Sequence, residues 1–103
     1  MTKSGFDNEG DLKIWWVPQV PMDAFEVAVP DLRTAAILLN TLADYDRFQF
    51  ENNVKPDYAN MGGLQVFEDG DWFDWWSEDG DDFNEVRRDP ELLAAEIAKE
   101  QAA

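Results

Sequence analysis

Carboxylates and tryptophans are concentrated in residues 62–85, GGLQVFEDGDWFDWWSEDGDDFNE. This stretch contains nine aspartates and glutamates, three of the chain's five tryptophans and no lysine or arginine. Carboxylate oxygens can hold a calcium ion or transfer protons, and a tryptophan can stack on a sugar or anchor a protein partner. These residue types allow four kinds of function: a metal site, an enzyme, a sugar-binding module or a protein-binding surface.

The spacing of the carboxylates argues against a metal site and an enzyme. Asp69, Asp71 and Asp74 miss the alternating positions and the following glycine of a calcium-binding loop. Asp74 lies between Trp72 and Trp76, as an acid beside a stacked sugar would. However, acids are frequent throughout a chain that has 23 of them, and 103 residues leave little room for a deep cleft. We predict no catalytic residue, no metal ligand and no cofactor.

The formal net charge of −15 limits the partners that the chain can bind. Nucleic-acid phosphates and anionic membranes repel a chain this acidic, so the expected partner is a basic protein or a cation. The chain has no histidine, the commonest general base, and no cysteine. It also lacks an apolar run of the roughly 20 residues that cross a membrane, and its start lacks the core of a signal peptide. We therefore expect a cytoplasmic protein.

Two strands and a helix are predicted in the first half of the chain. Residues 1–10 are polar and indicate a loose arm. Residues 11–17 predict a first strand, and their last four residues, Ile14–Val17, form a continuous bulky apolar run that is typical of a central strand. Residues 24–29 alternate in polarity, which predicts a second strand paired with the first. Asp31 is a suitable N-cap for an amphipathic helix that we predict to end near Asp44.

Three further strands and a second helix are predicted in the second half. Phe48 and Phe50 alternate with polar residues, which favours a short third strand. Residues 54–63 have the composition of a loop, and a hairpin follows them. Residues 77–86 are predicted as an acidic loop. An Asp-Pro-Glu sequence then opens a peripheral C-terminal helix over 90–103.

Asp69-Gly70 predicts a tight β-hairpin, because a two-residue type I′ turn needs positive φ at both central positions. This turn pairs Phe67 with Trp72 and sorts the neighbouring side chains between the two faces of the sheet. The core face takes Leu64, Val66, Phe73 and Trp75. The opposite face takes Gln65, Phe67, Trp72, Asp74 and Trp76. Because aromatic side chains lie beside carboxylates on this second face, we predict that it contacts a partner.

Three segments of the chain carry a resemblance to known proteins. They read WWVPQVPM, LLNTLADYDRFQFENNVKPDY and NMGGLQVFEDGDWFDW, within about residues 13–76. They resemble a group of small acidic proteins encoded by phages and prophages, some of which are described as superinfection-exclusion proteins. The resemblance implies a phage origin and action in the host cytoplasm. In size and charge the chain also looks like phage inhibitors that mimic nucleic acid, such as anti-restriction and anti-CRISPR proteins.

These observations predict a single α+β domain over residues 1–103. Its mainly antiparallel sheet has about five strands in the element order ββαβββα, with one helix packed on a face. The predicted function is a non-enzymatic inhibitor that binds a basic, nucleic-acid-handling host defence protein by mimicking nucleic-acid charge. A calcium- or carbohydrate-binding module that uses the acidic loop and exposed tryptophans remains the alternative. The residues predicted to contact the partner are Phe67, Asp69, Asp71, Trp72, Asp74, Trp76, Glu78, Asp79, Asp81, Asp82 and Glu85.

Overall fold

Four antiparallel strands form one sheet in the computed structural model, which describes residues 8–54 and 60–102. The strands are β1 (Leu12–Val17), β2 (Phe25–Val29), β3 (Met61–Glu68) and β4 (Asp71–Asp74). Their order in the sheet is β2-β1-β3-β4, so β1 is a central strand, as predicted. The helices are α1 (Leu32–Glu51), α2 (Phe83–Arg88) and α3 (Pro90–Ala102). The predicted α+β class and the C-terminal helix are confirmed.

One core lies between the sheet and the three helices. Alternate residues of β1, namely Leu12, Ile14 and Trp16, point into it because side chains alternate across a strand. The helices contribute buried residues such as Leu39, Phe83 and Ile97, and β3 contributes Leu64. All three helices therefore cover the same face of the sheet, and the other face carries none of them.

The helix α1 is longer than predicted, and the third strand expected around Phe48 and Phe50 does not exist. The two phenylalanines lie in the last turns of the helix, with 58% and 42% of their surface exposed. The helix continues past Asp44 because Asp46 extends its buried stripe. Asp46 is 3% exposed, and its carboxylate accepts a hydrogen bond of 3.2 Å from Trp16 Nε1. The sheet therefore has four strands rather than five.

The strand β3 begins inside the segment that was predicted to be a loop over 54–63. Residues 55–59 of that segment lie outside the described residues, whereas Met61 already pairs with Val17. Gly62 and Gly63 lie opposite Trp16 and Trp15 in the sheet. A Cβ atom on Gly63 would lie 2.9 Å from Trp15 Nε1, and one on Gly62 would collide with Trp16 Cε3. These glycines admit indole rings and do not form a turn.

The short helix α2 lies where an acidic loop was predicted over 77–86. Asp82 is its N-cap, and the Asp82 carboxylate accepts a hydrogen bond of 2.9 Å from the backbone N–H of Glu85. Phe83 and Val86, three residues apart, are both buried in the core. Burial of this pair explains why six residues suffice for a helix here.

The predicted hairpin is confirmed in turn and register. Asp69 and Gly70 have φ values of 51° and 82°, and Phe67 pairs with Trp72. The predicted N-terminal arm falls mainly on residues 1–7, outside the described residues. Gly10 is attached to the sheet, because its N–H donates a hydrogen bond of 2.9 Å to the carbonyl of Phe67.

None of the helices in the described ranges has both the length and the apolar character that crossing a membrane requires.

Candidate functional site

The sheet face opposite the helices, here called the open face, carries a layer of aromatic and polar side chains. Its members alternate along each strand with the core residues. They are Lys13 and Trp15 on β1, Glu26 on β2, Gln65 and Phe67 on β3, and Trp72 and Asp74 on β4. Phe67, Trp72 and Asp74 therefore lie on one face, as the hairpin register predicts.

Trp72 is the centre of contacts on the open face. Its ring meets Phe67 edge to face at 5.3 Å between centroids. Lys13 Nζ lies 4.5 Å from the Trp72 ring centroid and 3.2 Å from Glu26 Oε1. The cation is therefore shared between a π face and a carboxylate. Sequence reasoning missed Lys13 as a site residue, because it is distant in sequence from the acidic stretch. Its position on β1, the strand beside β3, could have identified it.

The predicted core face of the hairpin is only partly buried. Leu64 is 3% exposed and belongs to the core, and Val66 and Trp75 pack against it. Phe73 is 49% exposed, because β4 is an edge strand beyond the reach of the helices. Trp76, which was predicted on the opposite face with Trp72 and Asp74, is 58% exposed and lies just past the end of β4.

Exposed carboxylates follow the outer side of the hairpin, along what we call the acidic edge. Its members are Asp69, Asp71, Asp74, Glu78 and Asp79. In residues 8–54 and 60–102, the one ion pair that involves this edge joins Glu78 to Lys99 Nζ at 3.7 Å. A hydrogen bond to Glu96 raises the pKa of Lys99, which keeps this cation charged. The Asp69-Gly70 turn and the loop between β4 and α2 lie at opposite ends of β4. The predicted site residues therefore form a band and not one cluster.

Three other predicted site residues lie in or near the loop, and two of them hold it together. Asp81 donates its backbone N–H to Ser77 Oγ at 3.0 Å, and its carbonyl accepts from Ser77 N at 2.9 Å. Asp82 caps α2. Glu85 is exposed in the first turn of that helix. Substitution of Asp82 would therefore remove the cap of α2 as well as a charge, whereas the Asp81 bonds are made by its backbone and would remain after a side-chain substitution.

A cleft of about 610 Å³ opens beside β3 where β4 ends. Trp15, Trp16, Trp75 and Trp76 line it, together with Asn60, Asp74, Asp82, Asn84, Arg87 and Arg88. The Asn84 side-chain amide donates to the Gly62 carbonyl at 2.9 Å and so occupies the strand edge that β4 leaves open.

The charges in this cleft are balanced, because two aspartates face two arginines. Arg87 donates to Asn84 Oδ1 at 2.9 Å and to Asn40 Oδ1 at 2.7 Å, which fixes α2 against α1. Arg88 is exposed. Sequence reasoning missed both arginines as site residues, because α2 was not predicted and only this helix brings them to Trp76.

Within the described ranges, no three or more aspartate or glutamate residues come together so that they could hold a metal ion. The acidic residues of the loop are spread along it, and two of them make the hydrogen bonds described above. The geometry therefore gives no support to a calcium site in these ranges.

The comparisons with known proteins agree with the resemblance seen in the sequence. Residues 11–92 match the family described as superinfection exclusion gene product 17. A superinfection exclusion protein of Salmonella phage P22 is 42% identical over 80 residues, which cover 65% of this chain and 78% of that protein. No solved structure matches the chain. The family match extends from the start of β1 into the first turn of α3, and the chain therefore belongs to the superinfection exclusion gene product 17 family.

Proposed function

We propose that the chain is a non-enzymatic superinfection exclusion protein that binds a basic, nucleic-acid-handling protein in the host cell. The observation that carries the proposal is the acidic edge. Within the described ranges, its five carboxylates make a single ion pair, between Glu78 and Lys99. The role in exclusion is carried over from the family and from the name of the P22 relative. The chain would act on the host protein by binding it and not by catalysing a reaction.

The acidic edge supports this proposal through long-range electrostatics. Its carboxylates are exposed, and the net charge of −15 adds to their field. A field of one sign increases the rate at which an oppositely charged protein is encountered, and it resembles the field of a phosphate backbone. A protein with a basic nucleic-acid cleft is the partner that this field fits best.

Exposed aromatic residues beside the edge support a specific contact after the encounter. Trp76 is 58% exposed, and Asp74 lies in the same cleft. Tryptophan is enriched among the residues that dominate binding energy, and neighbouring carboxylates select a basic partner. Trp76 would therefore act as the anchor and the acidic edge as the steering surface.

The experiment begins with capture of host proteins at low salt, followed by kinetics with the purified partner. The association rate should fall steeply when salt rises from about 20 mM to about 500 mM, because the Debye length shrinks to a few ångströms. The paired reversal Asp74→Lys/Asp79→Lys should slow association by about tenfold. Trp76→Ala should weaken affinity by about thirtyfold, mainly through faster dissociation.

A matched control separates local charge from net charge. Asp23→Lys/Glu91→Lys changes the net charge by the same amount, but Asp23 lies between β1 and β2 and Glu91 lies in the first turn of α3, so neither belongs to the acidic edge. This variant should retain most of the association rate. Charge mimicry is tested by competition, in which duplex DNA or RNA should displace the chain from its partner. If the two paired variants behave alike, or nucleic acid and the chain bind together, the proposal is wrong.

The tryptophan-lined cleft favours carbohydrate binding as a second candidate function. Four tryptophans and the amides of Asn60 and Asn84 line it, and the Asn60 amide nitrogen is buried without a hydrogen-bond acceptor. An aromatic wall with a few polar groups suits a sugar ring, and the volume lies in the range of small-ligand sites.

A glycan array distinguishes the two candidates. Sugar binding should be insensitive to salt and lost in Trp76→Ala, whereas the Asp79→Lys substitution, outside the cleft lining, should leave it unchanged. If no glycan is retained at millimolar affinity, this second candidate is excluded.

A further inference from the structure

The outward side of α1 carries an apolar stripe that the proposed function does not use. Ile37, Tyr45 and Phe48 are 58%, 56% and 58% exposed. With the exposed Thr41 they recur at helical spacing, so they form one line along the solvent side of the helix. Tyr45 and Phe48 stack with their ring centroids 6.5 Å apart. Three large exposed apolar side chains in one line indicate an interface.

The charges on α1 point to a partner that is not strongly basic. Between Leu32 and Glu51 the helix has two arginines and three acids, and one of the acids, Asp46, is buried. The exposed charges therefore cancel on this helix, in a chain whose net charge is −15. A second acidic copy can therefore approach this helix with little local repulsion.

We propose that this stripe joins two copies of the chain in an antiparallel, two-fold symmetric pair of α1 helices. With the symmetry axis near Leu42, residues whose numbers sum to about 84 face each other, because the helices run in opposite directions. Ile37 of one copy then lies between Tyr45 and Phe48 of the second copy. Thr41 faces its own counterpart near the axis, where a small side chain lets the helices come close.

The same arrangement pairs opposite charges. Arg33 and Glu51 lie on one flank of the stripe, 18 residues or five helical turns apart. In a two-fold pair this flank faces the same flank of the second copy. Arg33 of each copy therefore lies at the level of Glu51 of the second copy, and the contact occurs twice. This complementarity favours a second copy over a neutral or acidic partner of another kind.

The area that the stripe offers predicts a weak dimer. The three exposed side chains provide roughly 350 Å² per copy, from typical areas of large apolar side chains. The flanking residues bring the total toward the roughly 1,200 Å² at the lower limit of specific interfaces. Dissociation constants in about the micromolar range are therefore expected.

Sedimentation equilibrium over protein concentrations from about 1 µM to about 1 mM tests the inference. The wild-type chain should show a reversible monomer–dimer equilibrium. Arg33→Glu and Glu51→Arg should each weaken dimerisation by about tenfold, and the double variant should restore it. Tyr45→Glu should give a monomer whose circular dichroism is unchanged. A chain that stays monomeric up to about 1 mM, or a double variant no better than the singles, would overturn the proposal.

A cysteine cross-link gives a second measurement that does not depend on weakening the interface. The chain has no cysteine, so Thr41→Cys should form a disulfide-linked dimer under mild oxidation. Ala95→Cys, exposed on α3, is the control and should not cross-link at the same rate. Equal rates would also overturn the proposal.

Salt separates this dimer from the proposed host complex. Salt should strengthen the dimer, because screening reduces repulsion between two acidic copies more than it weakens the exposed ion pairs. It should weaken a complex with a basic protein. The failure of one proposal therefore leaves the other standing.

Discussion

At the scale of single residues, two glycines determine how the central strands meet. Gly62 and Gly63 have no positive φ, so neither is present to allow a turn. They lie opposite Trp16, which is in the core, and Trp15, which is on the open face. A glycine in a strand often marks the close approach of another group, and here the two groups are indole rings on opposite faces.

Substitution by alanine at these two positions should therefore lower the free energy of unfolding by different amounts. In Gly62→Ala the new methyl group meets the buried Trp16 ring and lies 2.8 Å from the Trp15 carbonyl oxygen. In Gly63→Ala it meets the half-buried Trp15 ring, which can move outward. We expect losses of roughly 3 kcal/mol and roughly 1 kcal/mol in the free energy of unfolding, measured in urea. Trp15→Ala should relieve the second loss and leave the first; equal losses at both positions would contradict this account.

At the scale of elements, the sequence predicts a segment well when its pattern is long or its turn chemistry is strict. The Asp69-Gly70 turn fixes the hairpin register, and therefore the shared face of Phe67, Trp72 and Asp74. The failures have local causes. The alternation at Phe48 and Phe50 is too short to outweigh a helix whose buried stripe continues through Asp46, an acid that a hydrophobic pattern leaves out.

The helix α2 shows why the candidate site could be predicted only in part. Asp82 and Glu85 have the spacing of a capping box, and this signal could have identified the start of the helix. However, the burial of Phe83 and Val86 depends on tertiary contacts that local spacing does not reveal. Without α2, neither the approach of Arg88 to Trp76 nor the tryptophan-lined cleft could be foreseen. The acidic edge was predicted because it is continuous in sequence.

The junction of α1 and α3 makes a prediction about pH. The Glu100 carboxylate accepts hydrogen bonds from the Leu32 N–H at 3.1 and 3.3 Å. Burial raises the pKa of Glu100, while this N–H opposes the shift. The protonated form is therefore favoured in the folded state, and its contribution is lost as pH rises from about 4.5 through the folded pKa. Glu100→Gln should become more stable relative to wild type between pH 4 and pH 7.

Asp31 supplies the control, because its shift has the opposite sign. Hydrogen bonds from the side chain and the backbone of Thr34 lower the pKa of Asp31 at the start of α1. Its contribution is present above the ordinary value of 3.8 and is lost as pH falls through the folded pKa. The stability advantage of wild type over Asp31→Asn should therefore shrink as pH falls. Urea unfolding from below the ordinary Asp31 value of 3.8 up to about pH 7 measures both variants. If the stability of the two variants relative to wild type changes with pH in the same direction, the assignment is wrong.

At the scale of the whole molecule, the acidic edge and α1 differ in their exposed charge. The acidic edge carries five exposed carboxylates with one ion pair in the described ranges, whereas the exposed charges of α1 cancel. The two proposed interfaces follow this division: a basic partner is expected at the acidic edge, and a second copy is expected at α1. One small fold would thus use electrostatics to keep its two contacts apart.

The same imbalance predicts that salt stabilises the folded chain. With a formal net charge of −15, repulsion among carboxylates is greater in the folded state than in the expanded unfolded chain, and screening reduces it. Raising salt from about 20 mM to about 300 mM should increase the melting temperature by several degrees, which corresponds to about 1 kcal/mol in a domain of this size. The measurement uses dilute protein, which avoids any contribution from dimers.

The paired reversal Asp74→Lys/Asp79→Lys is the control for this prediction. Its net charge is −11, from two changes of two units each, so its melting temperature should respond less to salt. A melting temperature that falls with salt would show that attractive pairs outweigh repulsion, and would also weaken the case for electrostatic steering.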